Sequence, residues 1–345
     1  MDLIDWLKSS SLYPKLYWQA RGVKTATAAL GVGDHYPFYI APFSPYQEAI
    51  WQEFPQKTVL SFQEVRFAET TAIPWKNPYE IEKVSLSPSY PEWKIAVEKA
   101  KLAFQKKRFQ KVVLTRKVSI TLKRSIDPWA MFRSYIGEKG AYTFCFSPCK
   151  QSLFFGSSPE RLLKQEGNNL YTEALAGTRP YDARYELMEN KKELQEFAIV
   201  EKKVLQEIKR FCFPVVASKK QIKISRNIAH LHRYFQGTLL PGKSIDLLID
   251  SLHPTPAILG DSSTYCQEFL AKYAAFDRGL YCGLIGPKTP SYTDLCVAIR
   301  SLLIEQNTIH LFSGAGIVRE SDPEKEWNEL NEKLEPYLKK LCLTL

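Results

Sequence analysis

The stretch from Ile309 to Lys333 constrains this chain most. An apolar, β-prone run ends at Phe312-Ser313 and meets Gly314-Ala315-Gly316, and a helical pattern follows. The two glycines predict a sharp turn and close approach to a ligand, because glycine has no Cβ to obstruct either. Asp322 is a good N-cap, and Pro323 suits the first helical position. In the helix, Glu326, Glu329 and Lys333 recur at i, i+3 and i+7 and share one face. Trp327, Leu330, Leu334 and Leu341 form the packing stripe. The charged face is either a solvated salt-bridge surface or part of an ion site, and this helix alone leaves both open.

A second acidic helix is expected from Glu186 to Arg210. Leu194, Phe197, Val200, Val204 and Ile208 mark its buried side, while Glu189, Glu193 and Glu196 step along another. Glutamates are good ligands for a hard divalent cation such as Mg²⁺, which takes oxygen donors and often bridges to an anionic substrate. Carboxylates from two helices make a sensible metal site, provided the helices meet.

The chain has 345 residues, 45% of them hydrophobic, which suffices for a large core. Without a linker-like composition break, one domain spanning 1–345 is expected. No apolar run approaches the ~18 residues that span a bilayer. Residues 1–6 show no basic-then-apolar leader, and seven cysteines without CxxC spacing read as reduced thiols of a cytoplasmic protein. Net charge is +10. That balance permits a nucleic-acid partner, but Lys and Arg are scattered, with no basic arm or nucleic-acid motif. It equally suits an anionic small molecule.

Between the termini, strands are expected over 25–29, 38–41 and 59–62, a helix from Pro91 to Gln105, and a strand Lys111–Val118 with Lys111, Val113 and Thr115 on one face. Lys111 there is a snorkelling surface group or, if buried beside other cations, a neutral base. Strands at 142–146, 153–156, 161–164 and 170–175 follow, with a hairpin turn at Gly167-Asn168-Asn169 and a loop over 176–180. Glu160, after the Ser158-Pro159 turn, is an ion-pair partner for Arg161 or a proton donor in a pocket. Gly31-Val32-Gly33 is a lone GxG that carries little for nucleotides. His230 and His232, at i, i+2 on a strand, lack a third nearby ligand and so argue poorly for zinc. Arg300 sits within an apolar strand over 295–303, where burial against an anion is reasonable.

From about residue 90 onward, the chain resembles the chorismate-utilising enzymes: anthranilate, aminodeoxychorismate, salicylate and isochorismate synthases. The likeness is carried by Lys111-Val-Val-Leu-Thr-Arg116, Gly156-Ser-Ser-Pro-Glu160, Ala176-Gly-Thr-Arg179, Glu193-Leu-Gln-Glu196, His230-Leu231, Arg278-Gly-Leu-Tyr281, Val297-Ala-Ile-Arg300 and Gly314 to Lys333. Residues 1–85 match loosely. Three positions resemble the isochorismate synthases in particular. Lys111 stands where members that add water at C2 carry a base. Ala176 stands where aminodeoxychorismate synthases have a nucleophilic lysine. His253-Pro-Thr-Pro-Ala257 is similar to the isochorismate synthase loop. Phe197, where the family has a histidine, departs from the pattern.

The resemblance implies an α+β fold: two large antiparallel sheets packed as a sandwich, helices outside, the site between them. It implies an Mg²⁺-dependent isomerase working as a monomer on chorismate, with no nucleic-acid or membrane partner. Glu196 and Glu329, with Glu193 and Glu326, would hold the metal. Lys111 would be the base and Glu160 the acid. Gly177, Thr178, His230, Ala257, Tyr281, Arg300, Gly314, Gly316 and Lys333 would bind substrate. A salicylate synthase is the alternative within the family, and a basic nucleic-acid-binding protein on the same scaffold is the alternative outside it.

Overall fold

The computed structural model describes residues 3–23, 25–32, 37–44, 47, 50–54, 56–61, 80–136, 140–225 and 227–341. Helix α1 (Leu3–Ser9) precedes strands β1 (Lys15–Gln19), β2 (Thr25–Leu30), β3 (Pro37–Ala41), β4 (Ile50–Glu53), β5 (Gln56–Ser61) and β6 (Ile81–Ser87). Helix α2 (Tyr90–Gln105), β7 (Val112–Leu122) and α3 (Pro128–Arg133) come next. Four strands follow: β8 (Tyr142–Cys149), β9 (Ser152–Ser158), β10 (Arg161–Glu166) and β11 (Asn169–Pro180). A 3-10 turn (Tyr181–Met188) leads to α4 (Lys191–Phe211), β12 (Cys212–Ala217), β13 (Gln221–Ser225) and β14 (Ile228–Leu239). Then come α5 (Ile245–Leu252), α6 (Ser263–Tyr273), β15 (Leu284–Pro287), β16 (Tyr292–Val297), β17 (Ser301–Glu305), β18 (Thr308–Ile317) and α7 (Pro323–Lys340).

Among the described residues the strands form two antiparallel sheets. One has the order β5-β2-β1-β8-β9-β17-β18-β7-β6 and the other β12-β14-β11-β10-β16-β15-β3-β4, with β13 also on β14. Period-two alternation builds the sandwich. On β1, Leu16 and Trp18 join Phe38, Ile40, Phe144 and Phe154 between the sheets, whereas Tyr17 points outward to Leu7 and Phe132 of the covering helices. On the outer face of the second sheet, α4 lays down Phe197, Val200, Val204 and Ile208 against Leu170, Ala174 and Leu231 in the strand layer. Full burial of each such side chain contributes about 1.5–3 kcal/mol. The expected α+β sandwich is the observed fold. Among the described residues, no helix is long and apolar enough to cross a membrane, and the cysteines are unpaired thiols, all buried except Cys149.

Several local expectations need correction. The glycines at 314 and 316 make no turn: β18 runs straight through them, pairing Gly314 with Thr115 and Gly316 with Val113. The expected loop over 176–180 is the end of β11, interrupted by a bulge at Gly177, whose φ of 71° suits glycine. The expected strand over 295–303 is two strands in different sheets. The chain crosses between them at 298–300, where Arg300 takes a φ of 54° and Ser301 Oγ donates to the Ala298 carbonyl. Helix α4 starts at Lys191, capped by Asn190, so Glu189 lies outside it. Residue 62, the end of the strand expected over 59–62, and Gly33 lie outside the described residues.

Candidate active site

A cavity opens where the sheets face each other. Gly314 and Gly316 of β18 line one side, Gly177 and Thr178 of β11 and His230 of β14 the other, and Glu196 of α4 and Lys333 of α7 contribute from the helices. Arg300 reaches it from the crossover, and its Nη2 lies 3.4 Å from His230 Nε2. His230 Nδ1 is 3.0 Å from the Gly177 carbonyl and 3.2 Å from Thr178 Oγ1. Burial, then Arg300 and Lys333, hold this imidazole well below its ordinary pKa. It is therefore neutral, Nδ1 donating to Gly177 and Nε2 accepting from Arg300. Tyr281 stacks on Phe312 with ring centres 5.0 Å apart, and a Cβ on Gly314 would stand 3.2 Å from its hydroxyl. Lys333 donates to the Gly314 carbonyl at 2.7 Å and to Glu329 at 2.6 Å. This end of the cavity is rich in donors suited to carboxylates.

The two acidic helices do meet. Lys192 Nζ lies 2.9 Å from Glu326, 3.4 Å from Glu193 and 3.6 Å from Glu329, and Glu196 also acts on its charge. Burial and then Glu329 push Glu326 up, while Lys333 and Lys192 overcome burial and pull Glu329 down. The Thr178 amide donates to Glu193 at 2.8 Å. Among the described residues no three His, Cys, Asp or Glu side chains are grouped as a ready-made ion cage. The donor set nonetheless fits a hard cation in kind, all carboxylate oxygen, with an ammonium standing in for the positive charge.

Lys111 is fully buried, which excludes the snorkelling reading, and it stands beside a carboxylate where the neutral-base reading expected other cations. Its Nζ is 2.9 Å from Glu196 Oε1 but aligned with no acceptor as a hydrogen bond. Glu196 lines the cavity, and Lys111 sits behind it. A Cβ on Gly316 would come within 2.1 Å of Glu196 Oε1 and 2.8 Å of Lys111 Cε. That glycine exists to let the pair approach the strand.

Glu160 also lines the cavity and does not pair with Arg161. Arg161 turns to Tyr142 and Asp294 instead. Burial, then Glu173, raises the Glu160 carboxyl to about 8, against the opposing effects of Lys111 and Lys223. Thr255 Oγ1 donates to it over a long 3.5 Å. It is thus held protonated near neutral pH.

Of the expected site residues, Glu160, Gly177, Thr178, Glu196, His230, Ala257, Tyr281, Arg300, Gly314, Gly316 and Lys333 line this cavity. Lys111, Glu193, Glu326 and Glu329 stand just behind it, tied in through Glu196 and Lys192. Sequence reasoning missed Lys192. A signal was available: lysines in the first turn of a helix oppose the helix dipole and need a reason to be there. It also missed Glu173, a charged residue at a buried strand position. His232 bonds Glu173 at 2.8 Å.

The model of the chorismate binding enzyme family matches residues 44–342. The isochorismate synthase MenF of Haemophilus influenzae is 28% identical over 383 residues, covering 96% of this chain and 87% of that protein. The chloroplastic isochorismate synthase of Catharanthus roseus is 34% identical over 244 residues, 68% of this chain and 42% of that protein. The solved structure of the menaquinone-specific isochorismate synthase MenF from Escherichia coli superposes with a TM-score of 0.83 at 25% identity, covering 99% of this chain and 91% of that one. With its sandwich, its cavity and a family match over most of its length, this chain belongs to the chorismate-binding enzymes.

Proposed function

We propose that this protein is an Mg²⁺-dependent isochorismate synthase: it adds water at C2 of chorismate and expels the C4 hydroxyl. The observation that carries this reading is a cavity lined by the buried Glu160 carboxyl, whose pKa is raised to about 8, and by Glu196 of the buried Lys111–Glu196 pair. The relatives named as isochorismate synthases support it.

Each residue's part follows from its chemistry. Arg300, Tyr281 and Lys333 bind and orient the substrate's carboxylates, with neutral His230 fixing the Arg300 guanidinium. Glu193, Glu196, Glu326 and Glu329 would hold Mg²⁺, which when bound neutralises and anchors a substrate carboxylate. Lys111 accepts the proton that the attacking water gives up as the new C2–O bond forms. The two ring double bonds each shift by one position, and the C4–O bond breaks. Glu160 gives its proton to the departing hydroxyl, which leaves as water. Because a hydroxyl is lost and gained, the reverse reaction uses the same groups with roles exchanged: Glu160 as base and Lys111 as acid. The test is to assay Lys111→Ala and Glu160→Ala with chorismate and with isochorismate. The reading expects both to fail in both directions, and a wild-type rate in either direction would remove the residue concerned from its role.

A further inference from the structure

Glu160 sits between two peptide groups, and both are held by one buried ionic network. The carbonyl before it, that of Pro159, accepts from Arg21 at 2.8 Å and from Lys223. The amide after it, that of Arg161, donates to Glu173 Oε1 at 2.8 Å. Glu173 is itself almost fully buried. It takes both forks of Arg21, at 2.7 and 2.8 Å, together with Lys223 at 3.3 Å and His232 at 2.8 Å. Bidentate pairing of this kind fixes geometry as well as charge. Arg21 comes from just beyond β1, within the N-terminal part of the chain that matches the family loosely, and it spans 152 residues to reach Glu173.

We propose that Glu173, acting with Arg21 and Lys223, is a positioning residue for Glu160: it locks the backbone on both sides of that side chain and sets the local charge its carboxyl meets. This rests on the reading of Glu160 as the proton donor. The expense of burying three charged groups, Arg21, Glu173 and Lys223, in one spot, without any of them lining the active-site cavity, is otherwise unexplained by packing. The titratable groups facing Glu160 are Glu173 on β11, Lys223 on β13, Lys111 ahead of β7, and the thiols of Cys282 and Cys296. Of these, Glu173 raises the Glu160 carboxyl, while Lys223 and Lys111 lower it. The network therefore contains two members that act on Glu160 with opposite sign.

That sign difference is the test. Infrared difference spectra of the full chain, with Glu160→Gln as reference, follow the Glu160 carboxyl band against pH. In Glu173→Gln the midpoint should fall by on the order of one pH unit, and in Lys223→Met it should rise by a similar amount. The pH profile of turnover should move with each. General structural damage would not shift the two variants in opposite directions. Should Glu173→Gln fail to fold, Lys223→Met alone decides by the sign of its shift. A midpoint that stays in place, or that moves the same way in both variants, overturns the proposal. The infrared titration needs no turnover, so it is separate from the acid assignment. Opposite band shifts that the turnover profile ignores would uphold the positioning role and remove Glu160 as the acid.

Discussion

Lys111 Nζ meets Glu196 Oε1 at 2.9 Å in a space that only a glycine at 316 leaves open. The pair joins the proposed base to the acidic cluster: Glu196 faces Lys111 on one side and acts on Lys192 from the other. Gly316→Ala should therefore displace Glu196 and lower kcat by about 10²-fold, the usual consequence of misplacing a catalytic group by an ångström. The fold should persist, as judged by circular dichroism, because β18 accommodates alanine at neighbouring Ala315. A Gly316→Ala enzyme with wild-type kcat would contradict the geometry.

The pH dependence follows from Glu160. An ordinary glutamate titrates near ~4.3, whereas this one is raised to about 8, chiefly by burial. The donor must be protonated, so kcat/KM should hold up through neutrality and decline as pH rises through about 8. A profile flat to pH 9 would argue against Glu160 as the acid.

Arg300→Ala should act mainly on substrate binding. The guanidinium reaches the cavity from a left-handed backbone position and leans on neutral His230. Removing one partner of a buried charge pair costs about 2–5 kcal/mol. That loss should appear chiefly as a raised KM in steady-state kinetics, and unchanged KM and kcat would place Arg300 outside substrate contact.

Lys192 occupies the centre of the acidic cluster, where a metal would compete with it. Lys192→Met should bind Mg²⁺ more tightly in calorimetry and melt at a lower temperature when metal-free, since the carboxylates lose their ammonium. Glu196→Gln and Glu329→Gln should weaken Mg²⁺ binding and nearly abolish turnover. Unaltered Mg²⁺ affinity in all three variants would move the metal elsewhere.

Much of this was legible in local sequence. Asp322 and Pro323 announced α7, and the cap does bond the amides of Glu324 and Lys325. The alternation of Lys111, Val113 and Thr115 correctly separated them from Val112 and Leu114, which pack beneath α2 and α6. What failed were features that depend on distant partners. Gly316 reads as a turn residue until Glu196 is seen against it. The apolar run over 295–303 hides the change of sheet at Arg300, because both strands it joins are buried and look alike. Glu173 and Arg21 announce nothing at a separation of 152 residues.

The most direct measurement is product identification. The purified full chain is incubated with chorismate and Mg²⁺, and the products are assigned by proton NMR. The expected product is isochorismate with its enolpyruvyl group intact, with no pyruvate and no conversion when EDTA is in excess. Salicylate with pyruvate, or chorismate left unchanged in the presence of Mg²⁺, would contradict it.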